Sequence, residues 1–252
     1  GCHILSMDSV HRRRKSAGGG NAMQAVAAVP EKGTTTKDGR FFSFYTKGEE
    51  VFNAVSHIAG GALGLVFWIM LALFAYPDAA ALIAVSLFGL GAVVLYTMSA
   101  LYHFLPDGRA KGVFRIFDHC TIFLLIAGTY SPFCLIALSG SAAGWIVFGL
   151  QWGCAAVGIV MNAVAMNNKV VKGISMALYV VTGWMAVAVF PQLLAAVSPL
   201  SLGFLLAGGI AYTAGIVFYA LGRTRKWFHS VWHLFDIAGT ALQFISILLL
   251  LL

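Results

Sequence analysis

The C-terminal segment 228-FHSVWHLFDIAGTALQFISILLLLL-252 contains no lysine, arginine or glutamate and is apolar along most of its length. An α-helix needs about 20 residues to cross about 30 Å of hydrocarbon, so this segment can span a membrane. Six similar apolar stretches precede it, at about residues 51–76, 79–102, 116–138, 143–166, 174–195 and 200–221. The sequence therefore predicts an all-α fold, a polytopic membrane protein built as a bundle of seven transmembrane helices.

The composition excludes a water-soluble fold. Of the 252 residues, 60% are hydrophobic and only 10% are charged, whereas about a quarter of the residues in soluble domains are charged. The four cysteines form no C-x-x-C pair, so neither a disulfide framework nor a cysteine metal site is indicated.

The basic residues occupy alternate connections between the apolar stretches. Of the sixteen lysines and arginines, eight precede the first stretch, and the others lie after the second, fourth and sixth stretches. Cytoplasmic loops collect such residues, so we expect a cytoplasmic N-terminus and an external C-terminus. The net charge of +7 then reports orientation and does not indicate a nucleic-acid partner. We expect a multi-pass protein of the plasma membrane, the inner membrane of a bacterium.

The chain divides into a flexible basic tail at residues 1–48 and one membrane domain at residues 49–252. The tail carries the run Arg12-Arg13-Arg14-Lys15, followed by a glycine-interrupted segment that makes a poor signal peptide. The sequence contains no second soluble domain and no tandem repeat, and it leaves the oligomeric state open.

Three histidines are expected to meet at one end of the bundle. His229 and His233 share a helix face at a spacing that lets two imidazoles bind one metal ion, although this pair alone is at least as typical of a solvated helix end. His103 ends the second stretch, and the predicted topology brings it to the same membrane depth. Three imidazoles with an open fourth position are the donor set of a catalytic zinc site.

Other polar residues accompany the histidines. Asp118 could hold the metal-bound water or accept its proton, or it could cap its helix and pair with Arg115. Ser99 lies one turn before His103, and its hydroxyl could instead bond the carbonyl four residues earlier. Asp236 could accept a hydrogen bond from a histidine, serve as a fourth ligand or face another polar group.

Glu50, Asn53 and His57 share one face of the first stretch near the same end. They could line the mouth of the site or satisfy buried backbone groups, and we favour the second interpretation. His119 lies about 100° around its helix from Asp118, so we expect a hydrogen-bonded packing residue rather than a ligand.

Four motifs carry a family resemblance, and they lie within a match over about residues 49–244: Glu49-Glu50-x-x-Asn53-x-x-x-His57, Ser99-Ala100-Leu101-Tyr102-His103, Phe117-Asp118-His119 and His229-Ser230-Val231-Trp232-His233. With these motifs the chain resembles the hemolysin III proteins of the progestin and adipoQ receptor family of seven-helix membrane proteins. Asp236 and Gln243 depart from the family pattern, which has an apolar residue and commonly a histidine there.

The resemblance implies a zinc ion near the cytoplasmic face, held by His103, His229 and His233. Asp118 then matches the aspartate that contacts the metal-bound water, and Ser99 matches the neighbouring serine. The receptor branch is associated with ceramide hydrolysis, so the resemblance implies a zinc-dependent hydrolase of lipid amides whose partners are membrane lipids. The alternatives are a non-catalytic membrane homeostasis or signalling protein with structural zinc, or a pore-forming haemolysin, which the apolar outer halves of the helices disfavour.

Overall fold

A computed structural model describes residues 32–222 and 224–252 and shows an all-helical bundle. Its helices are α1 (Lys47–Ala75), α2 (Ala79–Phe104), α3 (Arg109–Pro132), α4 (Ala142–Ala165), α5 (Lys169–Gly183), α6 (Phe190–Ala196), α7 (Pro199–Leu221) and α8 (Phe228–Leu251). A π-helical turn, Phe133–Ala137, extends α3, and a 3-10 turn, Met185–Val189, joins α5 to α6. Within the described residues, seven helical segments are long and apolar enough to cross a membrane, which confirms the predicted bundle.

Large apolar side chains cover much of the outer surface of the bundle. Leu73 of α1 and Val164 of α4, for example, are among the most exposed. Exposure of this kind is unfavourable in water and is expected where the surrounding solvent is lipid. The chain is a multi-pass membrane protein.

Glycines allow α1, α2 and α3 to pack closely. A Cβ atom added at Gly60 of α1 would lie 3.0 Å from the ring of Tyr96 in α2. A Cβ atom added at Gly91 of α2 would lie 3.1 Å from the carbonyl oxygen of Leu124 in α3. Small residues at such positions let neighbouring transmembrane helices approach each other, and they fix α2 between its two neighbours.

The fifth span is interrupted, whereas the sequence predicts a continuous stretch over residues 174–195. The backbone leaves the α-helical path after Gly183, and the hydroxyl of Tyr130 donates to the carbonyl of Gly183 at 2.8 Å. The same hydroxyl accepts the backbone N–H of Ala186 at 2.8 Å. A buried tyrosine therefore pairs backbone groups at the break, which is the condition for a broken helix in apolar surroundings.

Residues 32–46, which precede α1, pack against the bundle. Phe41 is fully buried, exchanges two backbone hydrogen bonds with Gly108 (3.1 and 3.0 Å) and lies under the guanidinium of Arg115. Of the flexible tail predicted for residues 1–48, the part up to residue 31 lies outside the described residues. From residue 32 onward the segment contacts the bundle at Phe41, which is enclosed between α2 and α3, whereas residues 37–40 are exposed. The basic-loop residue Arg223 also lies outside the described residues.

Candidate metal centre

The structure brings His103, His229 and His233 together in a buried group at one end of the bundle. His103 lies in the last turn of α2, and the other two lie in the first two turns of α8. Nε2 of His229 lies 3.4 Å from Nε2 of His103 and 3.2 Å from Nε2 of His233. One ring nitrogen from each of the three lies within 4.8 Å of the others. Residues distant in sequence thus meet as expected from the predicted topology.

The spacing of these nitrogens suits a tetrahedral metal ion. Bonds of about 2.0–2.1 Å in a tetrahedron hold the donor nitrogens about 3.3–3.4 Å apart, close to the two separations measured from His229. A neutral imidazole has one donor and one acceptor nitrogen, so His229 Nε2 cannot hydrogen bond both neighbours at once. The group could therefore hold a metal ion.

The N-terminus of α1 fixes the start of α8. The side chain of Thr46 and the carboxylate of Glu49 form a capping box at the beginning of α1. The other carboxylate oxygen of Glu49 accepts the backbone N–H of Trp227 at 2.6 Å. Trp227 takes the left-handed conformation (φ 65°) immediately before α8. This contact places the first turn of α8, and with it His229, against α1.

A buried charge chain supports His103. Its Nδ1 lies 2.6 Å from Oε2 of Glu50, whose Oε1 lies 2.9 Å from the ammonium nitrogen of Lys111. Lys111 also donates to the carbonyls of Tyr102 and Leu105, at 2.9 and 3.0 Å. An Nδ1–H directed at a carboxylate leaves Nε2 with its lone pair free for a metal.

Sequence reasoning assigned neither of these supporting residues correctly. We favoured a backbone-satisfying role for Glu50, but its carboxylate contacts an imidazole. The shared helix face of Glu50 and His57 was the available indication of a site role. Lys111 entered the sequence analysis only as one of the basic residues that indicate membrane orientation. Nothing in the sequence distinguishes it from the neighbouring basic residues.

Aromatic rings enclose the other two histidines. Tyr45, from the segment before α1, stacks on His229 with ring centroids 4.6 Å apart. Burial raises the pKa of Tyr45 well above its ordinary value, so its hydroxyl stays protonated at neutral pH. His57 stacks on His233 at 3.6 Å, and Ser56 Oγ lies 3.3 Å from Nδ1 of His233. Nothing in the sequence pattern indicates a role for Tyr45.

Asp118 and Ser99 line a small polar cavity together with His229, His233 and Asp236. Its volume is about 20 Å³, which accommodates about one water molecule. Ser99 is buried, and the hydrogen bond of its side chain is with Asp118 rather than with the Leu95 carbonyl that the alternative interpretation requires. The two predicted catalytic residues thus face the same space as two of the histidines.

The surroundings of Asp118 do not match the alternative role of pairing with Arg115. Arg115 instead donates to Oδ1 of Asn167 at 3.2 Å, and Asp118 Oδ2 lies 3.4 Å from Nδ1 of His119. The ring nitrogens of His119 also lie 3.0 Å from the Arg115 carbonyl and 3.2 Å from the Tyr219 hydroxyl. His119 is therefore a hydrogen-bonded packing residue, as predicted.

A larger apolar cavity of about 110 Å³ lies among α2, α3, α5, α7 and α8. It passes the break in the fifth span, and it is bounded by Gly183 and Ala186. Five of its lining residues also line the polar cavity: Leu95, Ile122, Tyr219, Trp232 and Asp236. The apolar cavity therefore adjoins the polar cavity at the histidine group.

Asp236 lies where the two cavities meet. It is buried, and its Oδ2 lies 3.8 Å from Nε2 of His57. Asp236 therefore faces another polar group, which is one of the three alternatives considered, and it stands outside the histidine group that could hold a metal. Farther along α8, Gln243 lines the apolar cavity and donates to the carbonyl of Leu205 at 3.0 Å.

Known proteins are similar in sequence to this chain over most of its length. The chain is 33% identical to "Hemolysin-3" of Bacillus cereus over 202 residues, which is 79% of this chain and 90% of that protein. It is 32% identical to "Hemolysin-3 homolog" of Bacillus subtilis (strain 168), over 81% of this chain and 95% of that protein. It is 24% identical to the human "Monocyte to macrophage differentiation factor" over 64% of this chain and 67% of that protein.

The similarity to two bacillus proteins agrees with the expected bacterial plasma membrane, and the human relative agrees with the wider receptor family. Residues 45–244 match the family described as "Haemolysin-III related". This range begins at Tyr45, ends at Phe244 and includes all three histidines. The chain belongs to the haemolysin-III related family.

Proposed function

We propose that this chain is a zinc-dependent hydrolase that cleaves an amide bond of a membrane lipid. The observation that carries the proposal is the junction of the two cavities, which share five lining residues. A lipid chain bound in the apolar cavity has its polar end beside Asp118, Ser99 and the histidines. The basic connections favour the cytoplasmic side of the membrane for this end of the bundle.

The protein residues have distinct parts in this reaction. Zinc, when held by the three histidines, would supply a Lewis acid that polarises the amide carbonyl and lowers the pKa of water. Asp118 accepts the proton of the attacking water as general base and returns it to the amide nitrogen as the C–N bond breaks and the amine leaves. Ser99 donates a hydrogen bond to the carbonyl oxygen as negative charge develops on it. Tyr45 covers the imidazole of His229 and limits entry of bulk water from that side.

A structural metal is the competing interpretation, because an ion bound by these histidines would join α2 to α8. The two helices are, however, already connected without it. The hydroxyl of Tyr96 in α2 donates to the carbonyl of Asp236 at 3.1 Å and lies 2.6 Å from Oγ1 of Thr240. Hydrogen bonds thus join α2 to α8 independently of any ion, which favours the catalytic proposal.

The test combines metal analysis with turnover of a long-chain ceramide by the purified protein. We expect about one zinc per chain, loss of zinc in His229→Ala, and retained zinc in Asp118→Asn. Removal of a general base predicts a loss of hydrolysis of about 100-fold or more in Asp118→Asn. Stoichiometric zinc without turnover of ceramide and other acyl amides would contradict the proposal, as would full function in Asp118→Asn.

A further inference from the structure

Asp236 has a buried carboxyl group that accepts no hydrogen bond from residues 32–222 and 224–252. Its closest polar neighbour is Nε2 of His57, and the separation of 3.8 Å is too long for a hydrogen bond. The hydroxyl of Tyr96 reaches the backbone carbonyl of Asp236 rather than the carboxylate. Leaving such a group buried without a donor is costly.

The cavity walls show where a donor for this carboxylate could come from. Asp236 lines both the polar cavity and the apolar cavity, and it is the only carboxyl group among the described residues that line the apolar one. Leu95 and Ile122, which line both cavities with it, are apolar, and the hydroxyl of Tyr219, which also lines both, lies 3.2 Å from Nε2 of His119. A molecule in the apolar cavity therefore meets a carboxyl group where the polar cavity adjoins, and Oε1 of Gln243, farther along α8, is a second buried acceptor without a partner within the described residues.

We propose that Asp236 recognises the N–H group of a secondary lipid amide and so selects amides over esters of the same chains. The inference rests on the proposed function, whose substrate class it narrows. A secondary amide carries a donor directly beside the carbonyl that is to be cleaved, whereas an ester has an oxygen atom there and no donor. Ser99, Asp118 and Asp236 line the same small cavity, so the carbonyl oxygen of an amide can accept from Ser99 while its N–H faces Asp236.

The position of His57 is consistent with this role. Its ring packs between Tyr96, at 4.9 Å, and His233, at 3.6 Å between ring centroids. Neither ring nitrogen of His57 has a hydrogen-bond partner within the described residues. It therefore lies beside the carboxyl group without a hydrogen bond to it, and a ligand donor would supply the first hydrogen bond that this carboxyl group accepts.

Three ligands with the same acyl and alkyl chains test the inference: an N-alkyl hexadecanamide, its N-methyl derivative and the matching alkyl hexadecanoate ester. Only the first has an N–H. Binding to the purified full chain is measured by competition against a bromine-labelled acyl amide, which quenches Trp184 and Trp232 in the cavity wall. The Asp118→Asn background keeps the ligands intact during the measurement.

We expect the secondary amide to bind about five-fold more tightly than the other two ligands, as for a hydrogen bond to a buried neutral acceptor. Asp236→Leu should reduce this ratio to about two-fold or less, and Asp236→Asn should keep part of it because an acceptor oxygen remains. The control Thr129→Val removes a hydroxyl from the same cavity, but that hydroxyl bonds the Leu125 carbonyl of its own helix. In Thr129→Val the ratio of amide affinity to ester affinity should match that of the parent protein.

Equal binding of the secondary and N-methyl amides overturns the inference, and this comparison needs no variant of Asp236. An amide preference without amide hydrolysis by the wild-type chain upholds the recognition role while the proposed hydrolase fails. Hydrolysis of both the amide and the ester, together with equal binding of the two ligands, would uphold the proposed hydrolase and overturn the recognition role of Asp236.

Discussion

Oε2 of Glu50 lies 2.6 Å from Nδ1 of His103, so a carboxylate of α1 holds an imidazole of α2. Neither of the other two histidines has a carboxylate on its second ring nitrogen. His233 Nδ1 faces Ser56 Oγ, and His229 Nδ1 has no partner within the described residues. His103 is thus the most firmly oriented of the three candidate ligands, and Glu50 orients it.

Glu50→Gln should therefore weaken zinc binding by about 10–100-fold, the usual consequence of removing a carboxylate behind a ligating histidine. The amide can still contact Nδ1, but it does not fix the imidazole's orientation as firmly. The measurement is competition for zinc against a chelator of known affinity in detergent solution.

Asp78→Asn is the matched control for this prediction, because it makes the same kind of substitution at the opposite end of α2. Asp78 caps α2 through the N–H groups of Ala80 and Ala81, and asparagine caps about as well as aspartate. Its zinc affinity should equal that of the wild type. An unchanged affinity in Glu50→Gln would mean that Glu50 does not position His103 for a metal.

Lys111→Met should destabilise the fold by about 3 kcal/mol, since removal of one partner of a buried ion pair leaves the other uncompensated. The substitution also removes the donor that pairs the carbonyls of Tyr102 and Leu105 at the end of α2. Thermal unfolding in one detergent measures the loss. The double variant with Glu50→Gln should lose less than the sum of the two single variants, and strict additivity would show that the two side chains act independently.

Much of this arrangement could be predicted from the sequence, and the parts that could not have a physical reason. Helix length, hydropathy and the i, i+4 histidine pair depend on local sequence, so the spans and the meeting of His103 with His229 followed from topology. The charge chain through Lys111 depends on the side-chain conformations of Glu50 and Lys111, which join α1, α2 and α3. Tyr45 lies in a segment without helical periodicity, and its contact with His229 is set by packing alone.

The break in the fifth span was missed for a similar reason. Gly183 lies in an apolar stretch, and glycine alone does not end a transmembrane helix. The break is stabilised by a tyrosine that is far away in the sequence, on α3. The hydropathy pattern of a stretch depends only on its own residues, so it cannot indicate a hydrogen-bonding tyrosine on another helix.

Tyr45→Ala should increase the rate at which a chelator removes the bound metal, on the order of ten-fold, because the ring that covers His229 is lost and local opening is easier. Tyr45→Phe keeps the ring and should release metal at the wild-type rate. The rate is followed with a chromogenic chelator in excess. Equal rates in the alanine variant and the wild type would show that metal leaves by another route.

Tyr130→Phe should destabilise the fold by about 1–3 kcal/mol, because the carbonyl of Gly183 and the N–H of Ala186 each lose a buried partner. The ring itself remains, so the effect reports the hydroxyl rather than packing. Thermal unfolding again measures the loss, and Tyr219→Phe tests another tyrosine that lines the same cavity but lies away from the break. Because Gly183 and Ala186 both bound the apolar cavity, Tyr130→Phe should also weaken binding of the long-chain amide relative to Tyr219→Phe. Wild-type stability in Tyr130→Phe would mean that the freed backbone groups find other partners and that the break does not depend on this side chain.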